Sequence, residues 1–268
     1  MKLDLVAKDL QKKGSMELPL QFNEPIRQDI IQRAVESEQG ERRQRYGAKP
    51  KAGRRHSAYV SKRRRDYRTT YGIGQSRTPR KILSRHGTRL NWAGAVAPQT
   101  RGGRQSHPPK ALKVWTKKVN KREMNLALRS AISATLSKEL ATKRGHKVPA
   151  SYPFIVDSSI DAVTKTKDAS AFLISLGLEA DLERGQSVKI RAGKGKLRGR
   201  RYKTKKSALV VTATECPLSK SARNLPGVQV VTVDKLTVDL LAPGSMPGRL
   251  TIWTQGAVER LAKENLYL

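Results

Sequence analysis

The segment ALVVTATECPLSKSARNLPGVQVVTVDKLTVDLLAPGSMPGRLTIWT, residues 208–254, decides the fold. Three apolar runs stand in it: Ala208-Leu209-Val210-Val211-Thr212, Val228-Gln229-Val230-Val231-Thr232-Val233 and Arg249-Leu250-Thr251-Ile252-Trp253. A strand with one wet face alternates polar and apolar residues, whereas a nearly continuous apolar run is covered on both faces. Between the runs lie a short helix over 218–224, ended near Pro226-Gly227, and a helical turn over 234–241. Strands of this kind separated by helices imply βαβ crossovers. The fold class is therefore α/β, a mostly parallel sheet flanked by helices.

The pattern continues on either side. Pro153-Phe154-Ile155-Val156-Asp157 predicts another buried strand, and Asp168–Leu176 a helix stopped by Gly177. Thr254 is expected to cap a final helix reaching about Asn265. Met124, Leu128, Ile132, Leu136 and Leu140 recur every fourth residue and predict one helix from Lys121 to Lys143. Strand-like runs occupy 3–7 and 16–22. Asn23-Glu24-Pro25 reads as the start of a helix over 24–38, with Ile26, Ile30, Ile31, Ala34 and Val35 on its apolar side.

Charge divides the 268 residues unevenly. The 55 Lys+Arg and 22 Asp+Glu give a net +33 and a pI near 10.8. Residues 41–110 hold 20 Lys+Arg and 2 acids, a net +18; residues 191–206 hold 9 and none, a net +9. The remaining 182 residues carry only +6. This reads as one globular body (1–40 and 111–268), a long extended basic loop inserted at 41–110, and a second basic loop at 187–206. Such charge calls for a polyanionic partner. The single cysteine, Cys216, excludes a disulfide framework or a Cys-based zinc cluster and reads as a buried structural thiol. No apolar run approaches the ~18 residues of a membrane span, and Met1-Lys2-Leu3-Asp4 does not open a signal peptide. A soluble intracellular protein without membrane contact is expected.

The insertion lacks core-forming content. It holds six large aliphatics (Val60, Ile73, Ile82, Leu83, Leu90 and Val96) beside 8 Gly and 5 Pro. Ordering a backbone costs ~1–2 kcal/mol per residue, and a fully buried aliphatic side chain stabilises by ~1.5–3 kcal/mol. Six cannot offset seventy, so 41–110 is expected to be structureless and disordered when unaided. Its chemistry suits RNA. Arg54, Arg55, Lys62, Arg63, Arg64, Arg65, Arg77, Arg80, Lys81, Arg85, Arg89, Arg101 and Arg104 are spaced along it as phosphate ligands. Tyr46, Tyr59, Tyr67, Tyr71, Trp92, His56, His86 and His107 interleave as stacking platforms. Trp115 and Trp253 read as packing residues.

In the second loop Arg191, Lys194, Lys196, Arg198, Arg200 and Arg201 read as a clamp on phosphate and sugar. It is not a Walker loop, because Leu197 follows Lys196, nor a dinucleotide fingerprint, because Gly193, Gly195 and Gly199 are wrongly spaced. Signals for enzyme chemistry are sparse. The four histidines are scattered, and no cofactor or metal is implied. The alternative from that class is a metal-dependent nucleic-acid-processing enzyme using Asp157 and Asp161 near a strand end, although carboxylates there are more often helix caps.

Several stretches resemble one known family. Trp92-Ala-Gly-Ala-Val-Ala-Pro-Gln-Thr-Arg-Gly-Gly-Arg-Gln-Ser-His-Pro-Pro-Lys110, Lys118-Val119-Asn120, Arg191-Ala-Gly-Lys-Gly-Lys196, Ala222-Arg223-Asn224-Leu225-Pro226-Gly227, Leu241-Ala242-Pro243-Gly244 and Pro247-Gly-Arg-Leu-Thr-Ile-Trp-Thr254 are similar, in order, to the L-four family of large-subunit ribosomal proteins in its archaeal and eukaryotic form. The shorter second basic segment looks archaeal. The resemblance implies a ribosomal structural protein that binds large-subunit rRNA, supports assembly and touches neighbouring large-subunit proteins. It further implies that the loop tip, Tyr71, Gly72, Ile73, Gly74, Gln75, Ser76 and Arg77, helps line the peptide exit tunnel beside the nascent peptide. The bacterial form carries a basic residue where Gln75 stands. An extra-ribosomal role in binding messenger RNA is compatible with the same family.

Overall fold

A computed structural model describes residues 1–7, 11–66 and 69–268, so Tyr67 lies outside the described residues. The chain divides into a body, Met1–Arg42 with Thr116–Leu268, and an insertion, Arg43–Trp115. The body begins with β1 (Lys2–Val6), β2 (Lys12–Glu17) and α1 (Gln28–Glu41). The insertion contributes β3 (Arg80–His86) and β4 (Arg89–Gly94). The body resumes with α2 (Lys121–Ala134), α3 (Lys138–Lys143), β5 (Ile155–Val156), α4 (Thr166–Ser175), α5 (Glu179–Gln186), β6 (Val188–Ile190) and β7 (Tyr202–Thr204). It closes with β8 (Leu209–Thr212), α6 (Leu218–Ser221), β9 (Gln229–Thr232), α7 (Val238–Leu241), β10 (Thr251–Thr254) and α8 (Gln255–Lys263).

The body is built on a six-stranded sheet in the order β2-β1-β5-β10-β8-β9. Only β1 and β2 pair antiparallel; the other neighbours are parallel. Successive side chains point to opposite faces, so each apolar run supplies two layers. Ile155, Leu209, Val211 and Trp253 join one core with Ile31, Ile132, Leu241 and Val258. Val6, Val156, Val210 and Ile252 join the other with Phe172, Leu173, Leu176 and Leu218. Each fully buried side chain of this kind stabilises by ~1.5–3 kcal/mol. Among the described residues, no helix is long and apolar enough to cross a membrane.

Local hydrogen bonding moves several expected boundaries. α1 begins at Gln28 rather than residue 24, because 24–27 is held outside the helix by α2. Arg129 Nε donates to the Glu24 carboxylate at 2.7 Å, and the Ser130 hydroxyl accepts from the Arg27 amide at 2.7 Å and donates to the Pro25 carbonyl at 3.0 Å. The single helix expected over 121–143 is two. Thr135 Oγ1 donates back to the Ile132 carbonyl at 2.6 Å, and Ser137 caps α3 by accepting from the Leu140 amide. The strand expected over 16–22 is displaced to Lys12–Glu17, and Leu20–Phe22 forms a 3-10 turn. Thr254 occupies the N-cap position of α8, but its side chain makes no capping bond. α5 went unread because its buried positions, Asp181, Leu182 and Gly185, give no apolar stripe.

The expectation of a structureless 41–110 is overturned at Arg80–Gly94, which forms an antiparallel hairpin closed by Gly87-Thr88. Gly87 sits at φ 58, where a glycine-first two-residue turn matches the twist of the strands it joins. The signal was present in the sequence, but neither strand buries a face, so no alternation marked it.

Candidate nucleic-acid interface

Within the insertion, outgoing and returning arms are brought together by backbone. The Ala48 amide donates to the Pro109 carbonyl at 2.8 Å. A Cβ at Gly53, whose φ is 74, would fall 2.5 Å from Arg104 Cα, so only glycine admits this approach. The Ala95 amide bonds the Pro79 carbonyl at 2.8 Å, and the Arg104 amide bonds the Val96 carbonyl at 3.1 Å. Beyond these arms, Gly72 and Gly74 take positive φ in the exposed stretch Gly72–Arg77. Tyr71 beside it is half-buried under Arg77, whose guanidinium lies 4.2 Å from the ring centroid, and Arg64, at 5.4 Å. Trp115 stacks on Tyr46 with centroids 5.8 Å apart and carries Arg43 at 3.8 Å from its ring.

The second basic loop is also a hairpin. Val188 pairs Thr204, Lys189 pairs Lys203 and Ile190 pairs Tyr202, while the Arg191 amide donates to the Arg201 carbonyl at 2.7 Å. Alternation makes this ribbon two-faced. Val188, Ile190 and Tyr202 fall on one side; Lys189, Arg191, Arg201 and Lys203 fall on the other. Like charges directly opposite on a ribbon repel, and an anion between them removes the penalty. Lys189 and Lys203 therefore belong with the clamp, although sequence reading did not single them out; the exposed period-two alternation was the available signal.

The expected ligands share an absence of internal partners of opposite charge. Arg54, Arg55, Lys62, Arg63, Arg64, Arg65, Arg77, Arg85, Arg89, Trp92, Arg101 and His107 are exposed, and Arg80, Lys81 and Arg104 are half-buried. Lys194, Lys196, Arg198, Arg200 and Arg201 are exposed and Arg191 half-buried. Among the described residues, no ion pair engages any of these cations. Some of them meet rings and carbonyls instead, as where Arg80 bonds the Ser76 carbonyl at 2.7 Å and stands over Trp92 at 5.5 Å. Many body cations are partnered, as in Arg33–Glu123 at 2.8 Å, Arg129–Glu24 at 2.7 Å and Arg42–Asp239 at 2.9 Å.

The carboxylates of the enzymatic alternative stand in different surroundings. Asp157 is ion-paired with Lys13, whose hydrogen bond holds its pKa below the ordinary value. Asp161 is partly buried without a charge partner, and burial raises its pKa. Among the described residues, no group of three or more His, Cys, Asp or Glu is placed to hold a metal. Cys216 is half-buried against the second core. Trp253 is buried and meets Phe22 edge-on at 5.1 Å.

A body of mostly parallel sheet carrying two cation-rich stretches is the context for the comparisons with known proteins. Residues 16–264 match the model of the Ribosomal protein L4/L1 family. The chain belongs to this family. The large ribosomal subunit protein uL4 of Nanoarchaeum equitans is 47% identical over 255 residues, covering 95% of each chain. That of Methanococcoides burtonii is 45% identical over 257 residues, covering 96% of this chain and 95% of its own. That of Archaeoglobus fulgidus is 44% identical over 265 residues, covering 96% and 98%. The chain is an archaeal-type member of the L4/L1 family, a structural component of the ribosome and not an enzyme.

Proposed function

We propose that this chain binds large-subunit rRNA through the insertion and the basic hairpin, supports assembly of that subunit beside neighbouring ribosomal proteins, and lends Tyr71–Arg77 to the wall of the peptide exit tunnel, facing the nascent peptide. The observation that carries the reading is the partition of charge. The body carries only +6 over 182 residues and pairs many of its cations with its own acids, whereas +18 and +9 stand on two stretches with almost none. Cations without internal partners gain most from phosphate, because each contact releases a condensed counterion. The glycines at 72 and 74 leave the tip without bulky side chains at two of its positions, suiting a confined passage.

The test is the salt dependence of binding to an rRNA fragment. With about ten phosphates engaged, log K falls against log salt with a slope of roughly −7 to −9. A nearly flat response overturns the reading. A variant lacking 54–104 is expected to keep a folded body and to impair subunit assembly or nascent-chain passage. Normal assembly with a normal tunnel removes the role given to the insertion.

A further inference from the structure

Both ends of the basic hairpin are fastened to one buried carboxylate. Asp181, on the helix leading into β6, has no exposed surface. It accepts from Ser207 Oγ at 2.6 Å, Arg184 Nε at 2.8 Å and the Lys147 amide at 3.1 Å, and it lies 3.2 Å from His146 Nδ1, which itself stands 2.9 Å from Arg184 Nη2. Arg184 precedes β6 and Ser207 follows β7, so the bonds join the outgoing and returning roots of the ribbon. Arg184 Nη2 also donates to the Lys206 carbonyl.

Ser207 is tied twice more. Its amide donates to the Gly227 carbonyl at 2.9 Å, and its own carbonyl accepts from Arg249 Nε at 3.1 Å. Arg249, also without exposed surface, donates to Gln229 Oε1 at 2.7 Å and to the Leu240 carbonyl at 2.9 Å. A Cβ at Gly227 would fall 2.6 Å from the Lys205 carbonyl oxygen, and one at Gly185 would fall 2.6 Å from that of Pro226. Pro226-Gly227 and Arg249 thus converge on the base of the hairpin.

The ribbon needs such a base. Its strands are three residues each, exposed on both faces, and they oppose Lys189 to Lys203. An isolated two-stranded hairpin is marginal in water, and like charges weaken it further. We propose that Asp181, Ser207 and Arg249 form a socket that sets the direction of the basic hairpin before RNA arrives, so that Asp181 and Ser207 are positioning residues for phosphodiester binding. The proposal rests on the reading that the hairpin contacts RNA. A ribbon already set avoids the cost of ordering at the moment of binding.

The experiment uses the full chain and Ser207→Ala, which deletes one buried hydroxyl, with Asp181→Asn as a second variant. Amide exchange is expected to quicken roughly tenfold over 188–191 and 201–204, with α1, α2 and β8 unchanged. Binding to an rRNA fragment is then compared in two backgrounds, the native hairpin and one carrying K194Q, K196Q, R198Q, R200Q and R201Q. Ser207→Ala is expected to weaken binding about fivefold to tenfold in the native background and less than twofold in the neutralised one. Equal weakening in both, exchange quickened evenly across the body, or exchange unchanged at the hairpin overturns the socket. If the neutralised hairpin binds as tightly as the native one, the RNA reading of the hairpin fails, and the exchange result alone decides the socket.

Discussion

Ile31 and Ile82 carry the same side chain in opposite surroundings. Ile31 lies in α1 with no exposed surface, and Ile82 lies in β3 with 56% of its surface exposed. The contrast runs through everything around them. The body closes two apolar layers over its sheet and pairs many of its cations with its own acids. The insertion is held by turns, backbone bonds and glycine-permitted approaches, and most of its cations are exposed. One region carries its reason for folding in its side chains; the other supplies a backbone course and leaves its charge for a partner.

Amide exchange on the isolated chain probes this contrast hardest. Core amides of α2 and β8 are expected to exchange only through global opening, several orders of magnitude more slowly than those of 43–115. Strong protection across the insertion would erase the distinction. Asp181→Ala, which leaves half-buried Arg184 without its carboxylate and the Ser207 hydroxyl without its acceptor, is expected to destabilise the body by about 3 kcal/mol in urea melts. Ile31→Ala is expected to cost about 2–5 kcal/mol, against less than about 0.5 kcal/mol for Ile82→Ala. Equal costs at the two isoleucines would show a hidden core in the insertion.

Acid supplies the mildest perturbation. Burial is the largest influence on His146 and holds its pKa below the ordinary 6.5. Burial also opposes ionisation of Asp181, but the bonds from His146, Arg184 and Ser207 outweigh it and hold the carboxyl well below the ordinary 3.8. Both groups therefore bind protons more readily when unfolded. Their stabilisation is present above the unfolded values and is lost as pH falls. Urea midpoints are expected to decline gently from about pH 6.5 and again below about pH 4. His146→Gln should flatten the first decline, and an unchanged profile in that variant rejects the assignment.

Much of the body was legible because burial on two faces writes itself as apolar runs: β8, β9 and β10 are visible in 208–254 without any partner information. The two hairpins were not: Arg80–Gly94 buries no face and shows no alternation, and the alternation of Val188-Lys189-Ile190 is only three residues long. The break at Thr135–Ser137 was hidden under a period that Leu136 and Leu140 continue, and a single serine cap decides it. For the site, the cations could be counted from sequence alone, while the socket could not. Asp181, His146, Ser207 and Arg249 each look like surface residues until the fold buries them together.

The approach of Gly53 to Arg104 has a consequence for how such a chain can change over evolutionary time. Where two stretches of backbone touch, everything strung between them can be trimmed, extended or exchanged while the junction survives. The protein thus holds a natural splice point, at which new reach could be grafted without redesigning the domain that carries it.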